Sequence, residues 1–299
     1  MQSGGSEWPQ KTRELHNHHF DSTAWNGFPF RDDDIVIATY AKSGTTWVQQ
    51  IVSQLIFDGA EDLPVSDMSP WLDLRVPPKA VKLAVLEAQT HRRFIKTHLP
   101  VDALVVSPRA KYIYVGRDGR DVLWSLYNHH VNANETWYRA LNDTPGRVGP
   151  PIEKPNPDIR AYFHEWLEGD GYPFWSFFEH VGSWWGIRDL PNVLLLNFAE
   201  MKRDPEGVIR KIAAFLDIPI DGASLPRILE HCSFDYMKTR APKTVPNQGA
   251  LWQGGAGTFI DKGVNGRWRD VLSKHESTRY EKIARRELGD ACANWLAGG

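Results

Sequence analysis

The sequence predicts a three-layer α/β fold, a central parallel sheet flanked by helices on both faces. Three observations lead there. Short β-branched apolar runs recur along the chain and read as strands buried on both faces. Several are followed, after a short polar turn, by stretches whose apolar residues fall at helical spacing, an alternation that builds parallel sheets. The 299 residues are 41% hydrophobic and 24% charged, enough apolar material for one large domain over residues 1–299.

The first run, Ile35 to Tyr40 (IVIATY), leads through AKSGTT into WVQQIVSQLIF, which reads as strand, loop and helix. Arg93 to Thr97 (RFIKT) and Lys111 to Gly116 (KYIYVG) are the second and third strands, and DVLWSLYNHH after the third is helix-compatible. Asn192 to Phe198 (NVLLLNF) is the fourth. It precedes DPEGVIRKIAAFL, where Asp204 is placed to cap a helix and Pro205 to open its first turn. Between the third and fourth strands, residues 132–158 turn rich in Pro, Gly and polar residues before aromatic segments resume, within a candidate insertion over 132–175. That stretch reads either as a lid or substrate-side insertion, or as a helical pair joined by a surface loop. A second Gly-rich loop precedes Thr258.

Composition narrows the function classes. With 35 basic and 37 acidic residues, no global charge favours nucleic acid or an anionic membrane, so any basic site must be local. The two cysteines, Cys232 and Cys292, lack metal-ligand spacing and suggest a reducing compartment. No signal-peptide run opens the sequence and no stretch approaches the ~20 apolar residues of a membrane span. The expectation is a soluble, cytoplasmic protein without membrane or nucleic-acid partners. His16, His18 and His19 read as a solvated cluster near the terminus, with no metal role.

The sharpest motif is Lys42-Ser43-Gly44-Thr45-Thr46-Trp47 between the first strand and its helix. A helix N-terminus presents unpaired N–H groups and partial positive charge, Gly44 lets backbone approach an anion, and Lys42 with three hydroxyls adds donors. The layout is P-loop-like, yet it is no Walker A loop, because Ala41 rather than Gly precedes Lys42. Arg117 ends the third strand and Ser125 lies two helical turns on, so both can face one anion at the sheet's carboxyl edge.

Taken in order, KSGTTW, FIKTHLP, YIYVGRDGRDVLWS and KGVNGRW resemble the cytosolic sulfotransferases from about Phe28 to Trp268. The resemblance implies a donor, 3′-phosphoadenosine-5′-phosphosulfate (PAPS), leaving as 3′-phosphoadenosine-5′-phosphate (PAP), a hydroxyl-bearing small-molecule acceptor, and no metal. It implies that His98 removes the acceptor proton, that Lys42 assists the leaving phosphate and that Lys96 braces the sulfonate. It further implies that Lys42 to Trp47 hold the 5′-phosphosulfate, that Arg117 and Ser125 grip the 3′-phosphate, that Trp47, Phe198 and Phe234 surround adenine, and that Lys262 and Gly263 close over the nucleotide.

Two departures accompany the resemblance. Many relatives read Arg-Lys-Gly where this chain has Asp261-Lys262-Gly263, and the missing Arg is a 3′-phosphate ligand; Asp261 would repel that phosphate unless it turns away or pairs with Arg267 or Lys262. The family's dimer motif is not reproduced over Arg269 to Thr278, which leaves the oligomeric state open. Two other readings remain: a P-loop kinase or hydrolase, and a catalytically weak PAP-binding protein. With 13 Trp and 13 Phe, an apolar acceptor pocket is expected, for instance around Phe20, Trp25, Trp71, Trp124, Phe163 or Trp166, most of which are expected simply to be core.

Overall fold

Four parallel strands form the sheet in a computed structural model that describes residues 8–298. Strand β1 (Ile35–Thr39) leads into helix α1 (Thr45–Ile56), and β2 (Phe94–Thr97) and β3 (Lys111–Gly116) follow. Then come α2 (Gly119–Val131), α3 (Ile159–Glu168), α4 (Phe177–Gly186) and β4 (Val193–Asn197). Helices α5 (Pro205–Leu216) and α6 (Lys274–Leu296) complete the frame. The strand order is β2-β1-β3-β4, with Ile35 opposite both Phe94 and Lys111, and Tyr112 opposite Val193.

All four expected strands are present within one residue at either end. β1 is buried along its whole length, and its alternate side chains enter two different cores. Ile35 and Ile37 pack with Val48, Ile51 and Val52 of α1 and with Ile209 and Ile212 of α5. Val36 and Ala38 face the other side, where Val122 and Leu126 of α2 and Phe177 and Trp184 of α4 lie. Period-two alternation with both faces covered explains why the strand has no polar side.

Local signals fix the helix starts. Asp118 caps α2 by accepting from the Arg120 amide, and Asp204 caps α5 from Gly207 with Pro205 in the first turn, as the sequence predicts. Ser273 and Glu276 form a reciprocal capping box at α6. Ahead of β1 and β2, Arg93 forks onto the Asp34 carboxylate, Nε to Oδ1 at 2.7 Å, with both side chains buried.

The stretch 132–175 folds as two helices, Glu135–Asn142 and α3, joined by an irregular segment, and Trp166 packs 5.1 Å from Phe177. Among the described residues, no helix is long and apolar enough to cross a membrane.

Phe20, Trp25, Phe163 and Trp166 are wholly buried core residues enclosed by neighbours, as expected for most of the aromatic candidates, and line no acceptor cavity. One expectation is corrected here. His18 and His19 are also buried, at 6% and 5% exposure, rather than solvated. The Leu15–Ser22 backbone bond and the bridge from Phe20 to Leu74 fold the N-terminal segment against the body of the protein, so these rings point inward.

Candidate active site

The carboxyl ends of β1, β2 and β3 deliver Lys42, His98 and Arg117 to one cavity of about 890 Å³. Gly44, at φ 108°, turns the chain from β1 into α1. A Cβ there would lie 2.8 Å from Phe198, so both the backbone angle and the close approach require glycine. Helical bonding begins with the amides of Trp47 and Val48 donating to Gly44 O, which leaves the Thr45 and Thr46 amides ahead of the first helical bonds. Thr45 Oγ1 lies 2.6 Å from Thr39 Oγ1. Ser43 stands back from the cavity wall, its hydroxyl buried and without a partner.

Three basic side chains converge, and among the described residues none of them is in an ion pair, although Asp261, Asp73 and Asp121 act on Lys42, Lys96 and Arg117 from a distance. Lys42 sits with Nζ 4.0 Å from the centre of the Phe259 ring; burial, with Lys96 and Arg117 nearby, lowers its pKa to about 7. Lys96 lies 4.5 Å over Trp71, and burial lowers it to about 8 against the opposing pull of Asp73. Arg117 donates to Lys42 O at 2.8 Å and Asn265 Oδ1 at 2.9 Å, stands 4.3 Å over Phe198, and keeps a buried Nε without a partner. Burial lowers it to about 10.

His98 is held in one tautomer. Its Nδ1 lies 2.5 Å from Thr39 O, and a carbonyl can only accept, so Nδ1 carries the proton and Nε2 the lone pair. Burial first, and Lys96 second, push its pKa well below the usual 6.5, so the ring is neutral. Trp71 meets it edge to face at 4.6 Å.

On the opposite flank, Trp47 donates to Cys232 O at 2.8 Å and meets Phe198 at 5.7 Å. Gly263, at φ 61°, passes so close to Phe234 that a Cβ would sit 2.5 Å from its ring. Lys262 is exposed at the rim, and Ser125 faces the same cavity from α2. Asp261 pairs with Arg267 at 2.6 Å and accepts from Asn128 Nδ2 at 2.8 Å, one of the two pairings its sequence position allowed. With the exception of Ser43, every residue singled out from the motifs lines this one cavity.

Several lining residues escaped the sequence reading: His19, Asn128, His129, Lys202 and Arg267. Asn128 and His129 had a signal, since they lie three and four positions after Ser125 on the same helical face. One wall of the cavity is aromatic, formed by Trp71, Trp124, Trp137, Phe174 and Trp175, three of them from residues 132–175. Among the described residues, no group of three or more His, Cys, Asp or Glu is placed to hold a metal ion.

Comparison with known proteins supplies the family. The family model described as "Sulfotransferase domain" matches residues 32–291. A glycolipid sulfotransferase of Mycobacterium bovis is 34% identical over 92% of this chain and 91% of its own length. Sulfotransferase 1B1 of Mus musculus is 31% identical over 85% of this chain and 82% of its own. Among solved structures, mouse sulfotransferase SULT7A1 complexed with PAP superposes with a TM-score of 0.68 at 25% identity, covering 92% of this chain and 91% of that one. Retinol dehydratase in a complex with retinol and PAP gives 0.70 at 25% identity, covering 90% and 84%. The chain that carries this cavity of basic side chains and a neutral histidine belongs to the sulfotransferase family.

Proposed function

We propose that this enzyme moves the sulfuryl group of PAPS, in line, onto a hydroxyl of a small-molecule acceptor, with His98 as general base. One observation carries the reading: a neutral, carbonyl-anchored imidazole, its proton on Nδ1, lines the same cavity as three basic side chains that have no ion-pair partner among the described residues. The residues fit the donor on their own terms. Lys42, Lys96 and Arg117 repel one another until an anion joins them, Arg117 Nε lacks a partner, and Gly44 leaves room where any side chain would clash.

Bound PAPS supplies an activated sulfur and carries away the charge of its departing phosphate. Lys42 and the first-turn amides of α1 would stabilise that charge, already oriented before reaction. Lys96 would neutralise the transferring group. Arg117 and Ser125 would hold the 3′-phosphate, with Lys262 and the Gly263 amide above it, while Trp47, Phe198 and Phe234 would enclose the base. His98 Nε2 would take the acceptor proton, and Thr39 O would fix the ring while it does so. The substrate-side stretch 132–175 would act as the acceptor wall.

His98→Asn separates the roles. It should cut sulfuryl transfer by ~10²–10⁴ while PAP binds nearly as before, because His98 assists the acceptor oxygen and makes no nucleotide contact. Lys42→Met should weaken both. The measurements are mass-spectrometric transfer assays and thermal shifts with PAP, AMP and ATP. Equal shifts for the three nucleotides would refute recognition of a 3′-phosphate, and retained turnover in His98→Asn would refute the base.

A further inference from the structure

His19 is presented to the cavity in the same electronic state as His98. His18 Nε2 lies 2.7 Å from Pro173 O, which can only accept, so His18 donates there and its Nδ1 keeps a lone pair. That Nδ1 is in hydrogen-bond contact with His19 Nδ1. Since His18 can only accept at this atom, His19 Nδ1 carries the proton and His19 Nε2 is left with the lone pair. Burial lowers both pKa values, so both rings are neutral and the assignment follows without a shared extra proton. Among the described residues the only side-chain hydrogen bond of His19 is the one at Nδ1, and His19 lines the cavity.

The two imidazoles share their surroundings. Trp71 stacks on His19 at 6.0 Å and meets His98 edge-on at 4.6 Å, and Trp175 lies 5.8 Å from one and 5.9 Å from the other. Trp137 and Phe174 close over His19, each 5.7 Å away. A buried ring this tightly fixed, lining a ligand cavity with one lone pair unengaged among the described residues, is built to receive a hydroxyl proton. An apolar wall alone would have been served by a phenylalanine.

We infer that His19 is a specificity-determining residue that accepts a hydrogen bond from a second hydroxyl of the acceptor, so that the preferred acceptor class is a diol, polyol or glycosyl group rather than a monohydric alcohol. This rests on the sulfuryl-transfer reading above. His98 receives the reacting hydroxyl; His19 receives a neighbouring one across the Trp71 and Trp175 rings. His18 and Pro173 act through His19 as positioning groups that fix its tautomer.

Matched acceptors test it. With PAPS, the wild-type enzyme should show kcat/KM for octyl glucoside at least roughly tenfold above that for 1-octanol, the scale of one hydrogen bond to a site built for it. His19→Phe keeps an aromatic ring but removes the lone pair, and should lower that ratio by roughly tenfold. His18→Leu should lower it in the same direction by freeing the His19 tautomer, whereas His18→Asn, which keeps an acceptor atom at the δ position, should restore it. PAP thermal shifts monitor folding of each variant. A wild-type ratio at or below one would overturn the inference, as would an equal loss on both acceptors in His19→Phe, which would make His19 a packing residue. Transfer to neither acceptor, or to any of a panel of phenols and steroids, by a protein that still binds PAP would overturn the function reading and this inference with it.

Discussion

PAP affinity should fall with pH above neutrality, because Lys42 must regain a proton to meet the phosphate. In the donor-free protein Lys42 is lowered from 10.5 to about 7, burial being the main cause and Lys96 and Arg117 adding repulsion. A bound anion reverses both effects and returns the group to its charged form. Free Lys42 is then about half protonated at pH 7 and roughly 1% protonated at pH 9, so its contribution to affinity falls by roughly fifty-fold across that window. Phosphate monoesters have finished their second ionisation, near pKa 6, before the window opens, so the ligand's own titration adds little. Lys96, lowered to about 8, steepens the upper half. Isothermal titration at pH 7, 8 and 9, in buffers of different ionisation heat, yields both the affinity and the protons taken up. The expected uptake at pH 8 is close to one for Lys42, with a further part from Lys96. Lys42→Met should lose the Lys42 share and keep the remainder. Zero uptake at pH 8, or the same uptake in Lys42→Met, would refute the view that these cations are held poorly charged until an anion arrives.

Two further outcomes follow from named contacts. Asp261→Arg should not tighten PAP binding, although it restores the residue many relatives carry: it breaks the 2.6 Å pair with Arg267 and the bond from Asn128, and sets a like charge beside Arg267. A loss of roughly threefold by calorimetry is the expected scale for such a partly exposed pair, and a tenfold gain would refute the role assigned to it. Gly44→Ala should cost about 1–3 kcal/mol in chemical denaturation and weaken PAP, since the new Cβ meets both a positive φ and the Phe198 ring. Adding Phe198→Leu should recover the steric part alone; an unchanged midpoint in Gly44→Ala would refute the close approach.

The strands and the main helix starts were legible because their causes are local. Period-two burial in IVIATY and KYIYVG and an Asp-Pro opening at α5 act over a few residues, and no distant contact can reverse them easily. The site was legible in part for the same reason. Lys42, His98 and Arg117 follow strands β1, β2 and β3 directly, and in a parallel sheet the carboxyl ends meet along one edge.

Tertiary packing decided the rest. Nothing near His19 in sequence says that Trp71, Trp137 and Trp175 will enclose it, so a histidine-rich segment that looks solvated became part of the cavity wall. Phe20 and Trp25 are as apolar as Trp71, yet only Trp71 reaches the cavity, because hydrophobicity specifies burial and not which void a ring will border. Whether Asp261 would repel a phosphate turned on Arg267 and Asn128, the latter from a helix more than a hundred residues away in the chain. The sequence alone determined which segments become strands and which loop is expected to receive an anion; the strand order, the charge state of Lys42 and the tautomers of His19 and His98 came from neighbours distant in the chain, since packing, burial and Coulombic forces depend on distance in space and not on order along the chain.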